Sequence, residues 1–181
     1  MPSAYIFNSE RLGFRNWQDS DLQALATMNA DPRVMEYFSS TVDEIETAKF
    51  IARMQAEFAK HDFCYFAVDV LTSNEFIGFI GLSNKDFEAD FTPCVDIGWR
   101  IDPDHWGKGY ATEGARACLI YGFNTMALTS IVSMAPKINK KSIAVMKKIG
   151  MQFETEFDHP ALLDDERLKT CVLYKIERNE S

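Results

Sequence analysis

The feature that most constrains this chain is the run Val95-Asp96-Ile97-Gly98-Trp99-Arg100-Ile101-Asp102-Pro103-Asp104-His105-Trp106-Gly107-Lys108-Gly109-Tyr110-Ala111-Thr112-Glu113-Gly114, which reads as strand, glycine loop and helix start in that order. Val95, Ile97, Trp99 and Ile101 alternate with Asp96, Gly98 and Arg100 at the period of a strand, and Asp102-Pro103-Asp104 stops it. Gly107 and Gly109 carry no Cβ and can take positive φ. Successive N–H groups can therefore converge on a phosphate while the following helix offers its positive end. Ala111, Ala115, Cys118, Leu119 and Gly122 recur at three- and four-residue steps, the spacing of a helix packed on a sheet. This order predicts an anion-binding centre; the alternative is a plain strand-to-helix turn.

Glycine loops before helices serve several cofactors, and spacing separates them. A P-loop needs Gly-x4-Gly-Lys-Ser/Thr, which occurs nowhere in the chain, and a dinucleotide fingerprint needs a third glycine where Thr112 stands. The segment from Trp106 to Ala111 instead resembles the Gln/Arg-x-x-Gly-x-Gly/Ala loop of the GNAT superfamily of acyl-CoA-dependent N-acyltransferases. Trp106 departs from the usual Gln or Arg, and Trp-Gly-Lys-Gly-Tyr-Ala-Thr-Glu is similar to the version in the RimJ/RimL branch, the ribosomal-protein N-terminal acetyltransferases and their relatives. A second signature of the superfamily, Asn-x-x-Ser/Ala followed by a helix ending in Leu/Ile-Gly-Phe/Met, is matched by Asn139-Lys140-Lys141-Ser142 with Ile149-Gly150-Met151. Glu10-Arg11-Leu12 with Arg15, Asn29-Ala30-Asp31-Pro32, Phe76-Ile77-Gly78 and Asp158-His159-Pro160 extend the likeness to the RimJ/RimL branch over nearly the whole chain.

Length and composition agree with one domain over 1–181. At 181 residues, with 46% hydrophobic and 25% charged side chains, the chain suits a single soluble globular domain. No apolar run reaches the ~20 residues of a membrane helix. Met1-Pro2-Ser3-Ala4-Tyr5 lacks the basic start and apolar core of a signal or transit peptide. Cys64, Cys94, Cys118 and Cys171 show no Cys-x-x-Cys spacing and read as reduced core residues of a cytoplasmic protein. A net charge of −8 argues against nucleic-acid binding, which needs a basic face. Asp86, Glu88 and Asp90 in one loop and Asp164, Asp165 and Glu166 in another would draw cationic amines if they rim the cleft; otherwise they are solvated loop charges.

Along the chain, Glu10 to Arg15 predicts a first strand, Asp19 or Ser20 caps a helix carrying Leu22, Leu25, Ala26 and Met28, and Asp31-Pro32 ends it. Thr41 with Glu44 predicts a capping box for a helix to about Lys60. Phe63 to Val70 and Phe76 to Leu82 read as a hairpin, and a polar loop from Ser83 to Pro93 leads into the central strand. Ser130 to Met134 is a further strand, Asn139 to Met151 a capped helix, and Gln152 to Phe157 and Leu168 to Ile176 the last two strands. The resemblance implies an α+β fold: a strongly twisted mixed sheet of about seven strands with four main helices. It also implies a wedge between the fourth and fifth strands, where the pantetheine arm pairs with strand backbone.

Acetyl transfer from acetyl-CoA to an amine needs a bound pyrophosphate, a neutral amine, a polarised carbonyl and a proton for the leaving thiolate. Backbone N–H groups of Gly107, Lys108, Gly109, Tyr110, Ala111 and Thr112 are candidates for the pyrophosphate, beside Trp106. The resemblance implies pantetheine contacts from Trp99, Arg100 and Ile101 and from Asn139, which otherwise caps its helix. Arg100 is alternatively a surface ion-pair residue. For the base the resemblance points to Asp96 on the fourth strand, flanked by Val95 and Ile97, with His159 as runner-up. Each has a structural alternative. Many superfamily members place a Tyr seven residues after the Asn to protonate the thiolate. Here that position is Met146, which leaves the hydroxyl of Ser142 as the candidate acid, or else a helix cap or cofactor contact. His61, His105 and His159 show no ligand spacing, so no metal is expected. The expected acceptor is a primary amine, possibly a protein N-terminus, and the chain a monomer or homodimer; the alternatives are a small-molecule amine acetyltransferase and, since Met146 removes the usual acid, a non-catalytic CoA-binding or partner-binding module on the same fold. Tyr37 and Phe38 are candidates for the acceptor pocket.

Overall fold

In the computed structural model, which describes residues 3–180, eight strands form one sheet in the order β1-β2-β3-β4-β5-β6-β8-β7. The strands are β1 Phe7–Asn8, β2 Leu12–Arg15, β3 Tyr65–Val70, β4 Glu75–Lys85, β5 Cys94–Ile101, β6 Ser130–Pro136, β7 Gln152–Asp158 and β8 Thr170–Glu177. The helices are α1 Leu22–Ala30, α2 Glu44–His61, α3 Tyr110–Ile120 and α4 Lys140–Lys148. This is the α+β, four-helix arrangement expected, with one strand more than the expected seven. The extra one is β1. Ser9 N–H bonds Leu12 C=O at 2.9 Å, so the chain before the first expected strand folds back on it and pairs Phe7 with Phe14.

Two boundaries differ for physical reasons. The cap of α2 is Asp43, not Thr41: its carboxylate accepts the Glu46 N–H at 2.8 Å, and a negative charge there also meets the positive end of the helix. The Asp19–Asp21 segment is a 3-10 turn ahead of α1 rather than a simple cap, with the Asp21 carboxylate accepting the Gln18 N–H at 2.8 Å.

All strand pairs are antiparallel except β5 with β6. That parallel pair shares a single register position, Asp96 with Val132, so the two strands part beyond it. This is the expected wedge, between β5 and β6 once β1 is counted. The core fills both sides of β3, β4 and β5, with Leu12, Phe14, Phe66, Ile77, Ile80, Leu82 and Ile97 essentially inaccessible. Helix α3 lies close on the sheet because of Gly114, where a Cβ would sit 2.2 Å from the Ile80 Cδ1. The four cysteines are free thiols, three of them buried. Among the described residues no helix is long and apolar enough to cross a membrane.

A buried ion cluster ties the first strand to the sheet. Arg15 donates from Nε and Nη2 to both oxygens of Asp69 at 2.7 and 2.9 Å, and from Nη1 and Nη2 to both oxygens of Asp21 at 2.8 and 2.9 Å. All three are under 9% exposed.

Candidate active site

The glycine loop begins where β5 ends. Asp102 turns the chain into a 3-10 turn at Pro103–His105, and the indole N–H of Trp106 reaches back to the Ile101 carbonyl at 2.7 Å. The Lys141 ammonium of α4 stands 5.1 Å over the same indole, so Trp106 joins strand end, loop and α4. Gly107 and Gly109 take φ of +75° and +80°. A Cβ on Gly107 would meet nothing within 4 Å, and one on Gly109 only the Arg11 Nη2 at 3.6 Å, so a ligand can approach this backbone. Gly109 is the N-cap of α3 and offers no side chain to the first-turn N–H groups of Tyr110, Ala111 and Thr112. A backbone cradle of this kind at a helix start fits a pyrophosphate.

Ser9 and Arg11 brace the cradle from the β1–β2 turn. Glu113 accepts from Ser9 Oγ at 2.7 Å, Arg11 N at 2.8 Å and Arg11 Nε at 2.6 Å, which together hold its carboxyl below the usual range despite burial. Arg11 also lies 4.6 Å over the Tyr110 ring. A groove of about 700 Å³ runs from Gly109 along α3, bordered by the cations Arg11, Arg116 and Lys148 and by Thr112.

In an antiparallel pair, alternate residues turn both N–H and C=O to the same neighbour. Asp102 N–H donates to Ile77 C=O of β4, so even-numbered residues of β5 face β4 and odd-numbered ones face β6. Ile97 C=O accordingly accepts the Ser133 hydroxyl of β6 at 3.0 Å. Beyond that point the Trp99 N–H and C=O and the Ile101 N–H open into the wedge, whereas the Ile101 C=O is already taken by Trp106.

The side chains of Asp96 and Arg100 share the face of β5 opposite Ile97 and Ile101, with the bare Gly98 backbone between them. Asp96 is 5% exposed and accepts a hydrogen bond from the Tyr65 hydroxyl. Burial pushes its carboxyl up to about 6, although the Lys85 charge, the Tyr65 hydroxyl and the nearby Met134 backbone N–H pull the other way. Burial, reinforced by Asp96, raises the Tyr65 phenol well above its ordinary value. Tyr65 reaches Asp96 across two strands because its cross-strand neighbours are glycines: Tyr65 pairs with Gly81 and Gly81 with Gly98. A Cβ on Gly98 would press on the ring at 3.1 Å. A polar chain continues behind it: Lys85 lies 4.9 Å over the Tyr65 ring and 3.3 Å from Ser83 Oγ, and Ser83 donates to Glu57 of α2 at 3.0 Å.

The remaining expected residues take these places. Asn139 is the side-chain cap of α4, its Oδ1 accepting the Ser142 N–H at 3.1 Å, and Ser142 is half-buried in the first turn. Met146 is a core side chain at 1% exposure. His159 caps the turn Pro160–Leu162 through Nδ1, accepting from Ala161 N–H at 3.1 Å, with its ring 4.6 Å from Phe87. Burial, then Lys85, lowers its pKa. Of the acidic loops, Asp86, Glu88 and Asp90 are exposed, whereas Asp165 accepts the Arg167 and Leu168 N–H groups and Glu166 pairs with Lys169. Arg100 is not a surface ion-pair residue: its guanidinium lies against the Phe38 and Phe79 rings, 4.5 and 5.0 Å from their centroids, with Nη1 on the Asn29 side-chain oxygen at 2.7 Å. The linear reading did not single out Tyr65, Glu57, Ser83 or Lys85. The available signal was Gly81 and Gly98, since a glycine inside a strand marks close approach of another group.

Fold and cradle together define a CoA-dependent acyl-transfer protein. The acetyltransferase (GNAT) domain family matches residues 11–152, and the chain belongs to that family. It is an acetyl-CoA-dependent acetyltransferase. The uncharacterized N-acetyltransferase YnaD of Bacillus subtilis (strain 168) is 34% identical over 150 residues, 82% of this chain and 84% of that protein. A GNAT-family acetyltransferase from Bacillus anthracis superposes with a TM-score of 0.78 at 28% identity, covering 94% of this chain and 96% of the other. The ribosomal L7/L12 alpha-N-protein acetyltransferase RimL, solved with coenzyme A, shares the fold with a TM-score of 0.76 at 18% identity, covering 95% and 97%.

Proposed function

We propose that the chain, acting as one domain in the manner of the RimJ/RimL branch, moves an acetyl group to the α-amine of a protein or peptide N-terminus. Transfer is direct, with no acyl-enzyme. The observation that carries this reading is the buried Asp96–Tyr65 pair at the point where β5 and β6 part. Bound acetyl-CoA supplies the thioester, with Gly107 to Thr112 at its pyrophosphate and Trp99 and Ile101 backbone groups along its arm. The Asp96 carboxylate takes a proton from the acceptor through Tyr65: the phenol gives its proton to Asp96 and receives one from the amine nitrogen, leaving the lone pair free to attack. An α-amine, with a pKa of ~8, needs such help at neutral pH. Ser142 is assigned the proton for the leaving thiolate, because the Met146 side chain has none to give. The thiols argue against a covalent route: burial raises Cys64 and Cys118 far above the ordinary value and pushes Cys94 and Cys171 up to about 11, so none is a ready nucleophile. Exposed Asp86, Glu88 and Asp90 favour approach of the ammonium form of the acceptor.

The test is a screen of purified protein with acetyl-CoA against N-terminal peptides, free amino acids and polyamines, reading released CoA thiol and acetylated product by mass. Acetylation of α-amines is expected. Absence of acetylated product from every amine, with CoA bound, would refute the proposed reaction.

For the cradle, Gly109→Val is expected to weaken CoA binding at least ~10-fold in calorimetry, equivalent to ~1.4 kcal/mol. The Cβ and its methyls would enter the face left open for phosphate, at a φ that β-branched residues avoid. Unaltered affinity in a variant that still melts cooperatively would remove the loop from the binding site.

A further inference from the structure

The guanidinium of Arg100 is placed like a half-filled recognition site. The residue as a whole is half-buried, yet its Nε is removed from solvent and has no hydrogen-bond acceptor among the described residues. The Phe38 and Phe79 rings both lie within 5.0 Å of the guanidinium, and Asn29 takes Nη1. What remains is the Nε edge, the side of the fork that suits a carboxylate. No Asp or Glu among the described residues forms an ion pair with it, in contrast to Arg15, which is matched by two carboxylates. A cation taken from water without a counter-ion is costly, and burial pulls this one down to about 10. Arg100 shares its strand face with Asp96. Phe79, 5.0 Å from its guanidinium, stacks at 5.4 Å on Tyr65, the phenol bonded to Asp96. The outer ring, Phe38, is 45% exposed and sits in the α1–α2 connection, so a ligand would reach the covered Nε edge by displacing that ring, on the strand face that also carries Asp96.

Resting on the proposed transfer to an amine, we propose that Arg100 is the acceptor-specificity residue and that the acceptor carries a carboxylate near its amine, as in a free amino acid or a peptide with an acidic N-terminal residue. The ammonium end is drawn to Asp96 and Tyr65 and the carboxylate end seats on the Arg100 Nε edge. Polyamines, which have no anion, leave that edge unpaired and are disfavoured.

The experiment compares the native protein with Arg100→Met, which keeps an unbranched apolar stem against the two rings, and with Arg100→Lys. Acceptors are the free amino acids, peptides with N-terminal Asp or Glu, the matching α-decarboxylated amines, and spermidine. In the native protein the carboxylate-bearing acceptors should have the higher kcat/KM. Arg100→Met should lower that value by ~10²-fold, mainly through KM, and change it less than ~3-fold for decarboxylated amines, a split that loss of a pantetheine contact, which would affect every acceptor alike, does not produce. Arg100→Lys should recover part of the loss, because a point charge replaces the fork. The peptide and amino-acid arms separate the two sources of carboxylate. Decarboxylated amines or spermidine preferred by the native protein, or a preference that survives in Arg100→Met, would overturn the assignment while leaving the transferase reading intact. A turnover-independent measurement covers the opposite case: calorimetric titration of the CoA-loaded protein with N-acetyl amino acids. Binding lost in Arg100→Met upholds the site even if no amine is acetylated, and binding that is absent or independent of Arg100 overturns it.

Discussion

Asp96→Asn is expected to lower turnover by ~10²-fold or more while leaving CoA affinity unchanged. The amide has nearly the shape of the carboxylate and can still accept the Tyr65 hydroxyl, but it cannot take the proton that Tyr65 passes on. The pH dependence carries the same signature. With the Asp96 carboxyl pushed up to about 6 by burial, kcat/KM in the native protein should fall as pH drops through about 6, as the base becomes protonated, and this limb should vanish in the variant. Stability should move the other way. The folded state holds the Asp96 proton more tightly than the unfolded chain, whose carboxyl keeps the ordinary 3.8, so its stabilising contribution is present below that value and lost as pH rises through about 6. At pH 7 the ionised Asp96 is therefore a cost, and Asp96→Asn should melt no lower than its parent. A variant with native turnover would move the base to His159 or to bulk water. One that is inactive but grossly destabilised would make Asp96 structural.

Arg15→Met should be the most damaging single change to the fold away from the site, costing about 3 to 5 kcal/mol. Burial by itself would lower the affinity of Arg15 for its proton, yet the hydrogen bonds it donates to Asp21 and Asp69 raise it above the ordinary value, so the cluster is bound as ions. Removing the arginine leaves Asp21 and Asp69 buried at 4% and 6% exposure with no counter-charge. Urea unfolding would measure the loss. The triple change Arg15→Met, Asp21→Asn, Asp69→Asn should recover most of it, because no unpaired charge then remains. A single variant as stable as the parent would show that the two carboxylates find protons or water at little cost.

Much of this arrangement was legible along the chain because it is local. The glycine cradle, the Asn139 cap and the alternation of β5 each lie within one short run, where spacing fixes geometry. The short strand β1 was missed because two residues carry no period, and its pairing depends on the Ser9 turn. The Asp43 cap was missed because Thr41 and Glu44 offer the same spacing two residues earlier. The acceptor face was less legible, since it is assembled across the sheet. Tyr65 meets Asp96 over Gly81 and Gly98, and Arg100 meets Asn29 and Phe38 from another layer; each contact joins residues remote in sequence. Arg100 shows the limit most plainly, because alternation places it on a strand face but does not say whether that face meets water or two aromatic rings.

The parting of β5 and β6 has a consequence for the protein as a mechanical object. Across that seam one parallel pair and the Ser133 hydroxyl join the part of the sheet built from β1 to β5 to the part built from β6, β8 and β7. In the proposed complex a pantetheine arm on Trp99 and Ile101 would act there as a borrowed strand. Cosubstrate and architecture would then be linked: each tenfold rise of free acetyl-CoA above its dissociation constant would add about 1.4 kcal/mol to the stability of the folded chain.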